Sequence, residues 1–77
     1  MTTISTHKLG PTETKGERIE ARMAGAWIVR PYDYGSSDPH RDVARKLAEL
    51  TIGEHVDVEP IPGEWTRTGY KFRTVNR

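Results

Sequence analysis

Cysteine is absent from this chain. Without thiols there are no disulfides and no thiolate metal sites, the usual staples of very small domains. Long apolar runs are missing too, since none approaches the ~20 residues a membrane-spanning helix requires. Met1 to Thr6 carries neither the basic nor the apolar segment of a secretory signal, so a cytoplasmic protein with no membrane contact is expected. Charge of one sign is equally scarce. Twelve Lys and Arg stand against eleven Asp and Glu, and the resulting +1 does not by itself imply nucleic acid. Apolar residues make up 34% of the chain, below the usual ~45% for globular proteins. The core must be thin.

Seventy-seven residues suffice for one domain, spanning 1–77. A start signal stands at Ser36-Ser37-Asp38-Pro39, with Asp38 as N-cap and Pro39 at the first helical position. Val43, Leu47 and Leu50 then recur at helical spacing, Ala44 and Ala48 widen the stripe, and Asp42 and Lys46 form an i,i+4 pair. Gly53 suits the position that ends a helix, so the spacing predicts a helix over about 39–51.

Residues 17–24 alternate Ile19, Ala21 and Met23 with Arg18, Glu20 and Arg22, the pattern of a half-buried strand. Gly25 marks a turn into 26–32, where Trp27, Ile28, Val29 and Tyr32 put apolar groups on both faces and Pro31 indicates an edge or an end. Val56 and Val58 point inward from a strand over 55–59, as do Tyr70 and Phe72 from one over 69–75. Pro60, Pro62 and Gly63 open a long hairpin loop between these two. Residues 3–9 are strand-like but poorly patterned, because Ile4 and Leu9 point opposite ways. The fold class predicted is α+β: a single antiparallel sheet of four to five strands with one helix packed on one face, in the order β-β-β-α-β-β. Its expected core is Ile19, Ala21, Met23, Ile28, Val43, Ala44, Leu47, Ala48, Leu50, Val56, Val58, Tyr70 and Phe72.

Chemistry is hard to find. His7, His40 and His55 are not spaced as metal ligands, so no metal or cofactor is expected, and His40 at the positive end of a helix reads as solvated. Asp33 with Asp38, and Asp57 with Glu59, are accounted for by turns, capping and an exposed strand face. No G-x-S-x-G, G-x-G-x-x-G or Walker loop occurs, and no catalytic residue is assigned. Gly10 and Gly16 bracket a loop beside Lys15 that could present N–H groups to an anion, but turn formation explains it more simply.

The best binding signal is a set of basic residues interleaved with aromatics: Trp65, Arg67, Lys71 and Arg73 near the C-terminus, with Arg18 and Arg22 on the outer face of 17–24. If the strands holding 18–22 and 71–73 are close, four cations share one open face that could track phosphates, with Trp65 stacking on a base. The opposing reading has Glu20, Asp57 and Glu59 neutralising them across strands. Trp65 itself has two placements, exposed as a binding anchor or folded back on the core.

The segment Leu9-Gly10-Pro11-Thr12, followed by Gly16-Glu17-Arg18-Ile19 and the small Ala21, resembles the opening of a family of small proteins encoded by bacteriophages and other bacterial mobile elements. Val29-Arg30-Pro31-Tyr32-Asp33, the His40–Leu50 helix, Pro62-Gly63 and Tyr70-Lys71-Phe72 resemble its later landmarks, so the similarity spans about residues 6 to 75. Lys8, Arg30 and the longer 60–69 loop depart from its pattern. The resemblance implies an accessory protein acting in the cytoplasm of a bacterial host and lends no catalytic residues; the lack of any catalytic motif makes a non-enzymatic role the expectation. Together these readings point to binding of a host or phage protein, with nucleic-acid binding through the basic face as the alternative. Self-association is a further expectation of so thin a core.

Overall fold

The computed structural model describes residues 2–10, 16–65 and 69–76, the last two residues of the middle span by their backbone alone. The elements are β1 (Thr3–Leu9), β2 (Arg18–Met23), β3 (Ala26–Pro31), α1 (Pro39–Thr51), β4 (Val56–Trp65) and β5 (Gly69–Asn76). The expected β-β-β-α-β-β order and α+β class are therefore present, as one five-stranded antiparallel sheet under a single helix. Across the sheet the strands run β3-β2-β1-β5-β4, which places β1 at the centre and makes β3 and β4 the edges.

Local chemistry sets the boundaries. Asp38 accepts a hydrogen bond from the Arg41 N–H at 3.2 Å and Pro39 opens the first turn, so α1 starts where the capping signal falls. It ends where Ile52 and Gly53 both donate to the Ala48 carbonyl, with Gly53 at φ 141°. Asp42 accepts from the Ser36 hydroxyl, tying the helix start to the preceding turn. Gly25, at φ 81°, closes the tight turn between β2 and β3.

The core is Ile4, Ile19, Ala21, Val43, Ala44, Leu47, Ala48, Val56, Val58 and Phe72, with Met23, Ala26, Ile28 and Tyr32 packed at its margin. Two expected members lie elsewhere: Leu50 is 63% exposed and Tyr70 46%. The buried side of α1 is formed by His40, Val43, Ala44, Leu47 and Ala48. At roughly 100° per residue the centre of that stripe falls near His40, Ala44 and Leu47, and Leu50 sits about 90° away, off its margin. His40 is thus buried at 8% exposure rather than solvated.

Two strands also differ from expectation. The weakly patterned 3–9 stretch is the central strand, with Ile4 and Thr6 facing the helix. A central strand in a small sheet still has one open face, so polar residues at its alternate positions are satisfied there. The Pro-rich stretch after Glu59 continues β4 to Trp65, with a register irregularity between Pro60 and Trp65, instead of forming a loop. Prolines are tolerated because β4 is an edge and their missing N–H groups cost no ladder bond.

Candidate functional site

Register determines which side chains share the face opposite the helix. Arg22 pairs with Ser5, and Ser5 with Lys71; Arg18 pairs with Leu9, and Arg73 with Thr3. Directly opposed residues point the same way, so Arg18, Arg22, Lys71 and Arg73 do share the open face, separated by β1. Anions share it too. Glu20 binds Arg22 at 2.7 Å and Glu59 binds Arg73. The hydrogen bond from Arg22 to Glu20 raises the guanidinium pKa. Asp57 instead faces Arg41 and Arg45 of the helix, at 3.8 Å each. The face is a mosaic of both signs rather than a basic surface. Arg67 and the side chain of Trp65 lie outside the described residues, as does the 11–15 segment with Lys15.

The more developed site lies at the opposite edge of the sheet. A groove of about 830 Å³ is lined by Glu17, Arg18, Trp27, Val29, Pro31 and Tyr34, with Gly16, Arg30 and Tyr32 completing it. Trp27, Val29 and Pro31 point to the open face because they pair with Arg22, Glu20 and Arg18. Trp27 is 62% exposed and Tyr34 75%, a large outlay of aromatic surface for a chain with six aromatics in all.

These rings are held in place. Tyr32 and Tyr34 lie with centroids 4.8 Å apart, and the Lys8 ammonium stands 5.0 Å from the centre of the Tyr32 ring. Tyr34 donates its hydroxyl to Glu17, which also meets Lys8 at 3.3 Å. The Tyr34 bond and the Lys8 charge hold the Glu17 carboxyl below its ordinary pKa, and donation to Glu17 raises that of Tyr34. Glu17 is thereby engaged twice, while among the described residues Arg18 and Arg30 make no ion pair. The Arg18 Nε is buried with no hydrogen-bond partner. The groove therefore offers apolar rings and uncommitted positive charge, and the phenol that Tyr34 presents to Glu17 is held in its protonated form rather than activated.

A second constellation centres on His40. Its Nδ1 lies 2.8 Å from the buried Thr6 hydroxyl, and its ring meets Tyr70 edge-on at 4.8 Å. Burial lowers its pKa; Asp38 opposes that shift, while Lys8 and His7 add to it. The adjacent cleft is lined by Lys8, Tyr32, Ser37, Asp38, Pro39, Gly69 and Tyr70. Thr6 also accepts from the Tyr70 N–H, so this group of polar atoms is internally satisfied and joins β1, β5 and α1.

Among the described residues no helix is long and apolar enough to cross a membrane, and no three His, Asp or Glu side chains cluster as metal ligands. Compared with protein-family models, curated proteins and solved structures, the chain shows no significant match. Sequence reasoning had identified Arg18 but missed Trp27, Tyr32 and Tyr34. The available signal was Pro31, which marked the strand before the tyrosines as an edge and so left Trp27 without a covering neighbour.

Proposed function

We propose that this chain is a non-enzymatic binding module that engages a host or phage protein through the groove beside β3. The observation that carries the reading is the exposure of Trp27 at the mouth of a groove whose tyrosines are already oriented by Lys8 and Glu17. Aromatic anchors held in position before binding are the usual centres of protein interfaces, since little rotamer entropy remains to be lost. The resemblance of the Leu9–Ile19 motif to small mobile-element proteins supports a bacterial intracellular setting for that partner.

Affinity capture from bacterial lysate with the native chain, Trp27→Ala and Tyr34→Ala tests this. A specific protein retained by the native chain and lost with both variants is the expected result. Equal capture by all three overturns it. The substitutions are at exposed positions, so unfolding midpoints should move by no more than about 0.5 kcal/mol equivalent.

The alternative, nucleic-acid binding, draws on Arg18, Arg22, Lys71 and Arg73 sharing one face. The Glu20 and Glu59 pairs weigh against it, because Arg22 and Arg73 are already engaged. Salt-sensitive binding of a single-stranded oligonucleotide that is weakened by Arg73→Glu would favour the alternative.

A further inference from the structure

The two edges of the sheet are finished differently. Tyr32 N–H donates to the Glu17 carbonyl at 3.0 Å, which marks that pair as hydrogen-bonded in the β2–β3 register. Alternation along an antiparallel strand then turns the main chain of Ile28 and Arg30 toward β2 and that of Trp27, Val29 and Pro31 away from the sheet. Pro31 has no N–H to offer. Two donors, on Trp27 and Val29, therefore face outward, and among the described residues neither has a partner.

The same alternation on β4 turns Val56, Val58 and Pro60 outward. There the Val56 N–H is taken by the Gly53 carbonyl at 3.3 Å, the Val58 N–H by the Asp57 carboxylate at 2.8 Å, and Pro60 has none. One edge is closed against a further strand and the other is open.

Side chains along β3 specify what would fit. On the open face an added strand would lie beside Trp27 and Val29, favouring apolar groups. On the helix face its neighbours would be Ile28, packed at the margin of the core, and the exposed Arg30, with Lys46 in the adjoining groove. Asp33 and Asp42 line that groove as well and keep their charge, but each is bonded locally, to the Gly35 N–H and the Ser36 hydroxyl, and among the described residues neither pairs with Arg30. A second copy of β3 would bring another Arg30 and no carboxylate, so it matches this chemistry poorly.

We propose that β3 takes an extended segment of a protein partner as a sixth strand, one alternating apolar and acidic residues, its acidic side chains meeting Arg30 and its apolar ones Trp27 and Val29. This rests on the groove being the protein-binding site, and adds main-chain pairing and an acidic, alternating sequence to it.

The probe is a capped octapeptide alternating Val and Glu, with the Val/Lys peptide as comparison, read by amide hydrogen exchange and NMR shifts on the full chain. The Glu peptide should slow exchange of the Trp27 and Val29 amides and bind at least tenfold more tightly than the Lys peptide. Val29→Pro, which removes one outward N–H without touching the β2 ladder, and Arg30→Ala should each weaken it at least fivefold. Unchanged exchange at Trp27 and Val29 overturns the proposal, as does equal binding of both peptides. Protection that grows with protein concentration alone overturns it in favour of self-association. Retention of a captured partner by Val29→Pro but not by Trp27→Ala would leave the groove as the binding site and refute strand addition; retention by both would refute the two together.

Discussion

His40 occupies the first turn of α1, yet its ring is packed between the helix and the middle of the sheet against Thr6 and Tyr70. Desolvation favours the neutral imidazole, so its folded pKa lies below the ordinary 6.5. Between the two values the unfolded chain binds more protons than the folded one, and stability rises with pH. The contribution is complete above about pH 6.5 and is lost as pH falls through the lowered folded value. Urea midpoints should drop on going from about pH 7.5 to about pH 5, and His40→Gln should flatten that part of the profile. A native profile with no slope in this window would contradict the buried, neutral assignment. Glu17 acts in a separate window, below its ordinary 4.5, because its folded pKa is lowered in the usual carboxylate direction.

For the helix, capping and periodicity agree with the observed bounds, but the centre of its buried stripe is held by a residue that composition alone classes as polar. His40 lies in line with Ala44 and Leu47, while Leu50 falls off the margin into solvent. Leu47→Ala should cost about 2 to 4 kcal/mol, whereas Leu50→Ala should stay within about 0.5 kcal/mol. Chemical denaturation of the two variants separates these outcomes, and equal losses would mean that the seam includes Leu50. The edge strands show the same dependence on neighbours. Asp57 closes the rim of β4 through the N–H of the following Val58, whereas Glu59, followed by Pro60 with no N–H to offer, pairs with Arg73 across the strands.

At the scale of the whole molecule, the first and last strands lie side by side, with Thr3 opposite Arg73 and His7 opposite Gly69. The approach is tightest at Gly69, where an added Cβ would stand 1.7 Å from the Thr6 carbonyl oxygen. That atom belongs to backbone in the central strand, so no side-chain rotation can relieve the clash. Gly69→Ala should therefore force β1 and β5 apart at a cost of about 3 kcal/mol, a large part of the stability of a domain with so thin a core. Thermal unfolding measures it; a melting temperature close to that of the native chain would show that the strands can separate freely.

What the sequence determined by itself were the features that act over a few residues: the Asp38-Pro39 start of α1, its end before Gly53, the turn at Gly25, the alternation of Arg18–Met23, and from these the class and order of elements. Such signals are local because capping, φ preference and side-chain alternation involve only neighbours along the chain. Tertiary structure alone decided that β1 is central, that His40 and Thr6 are buried, that Trp27 is bare at an open edge, and that Glu20 and Glu59 pair with Arg22 and Arg73. Each of these depends on which strand lies beside which. That order is set by pairing residues up to seventy positions apart, whose register leaves no periodic trace in either segment.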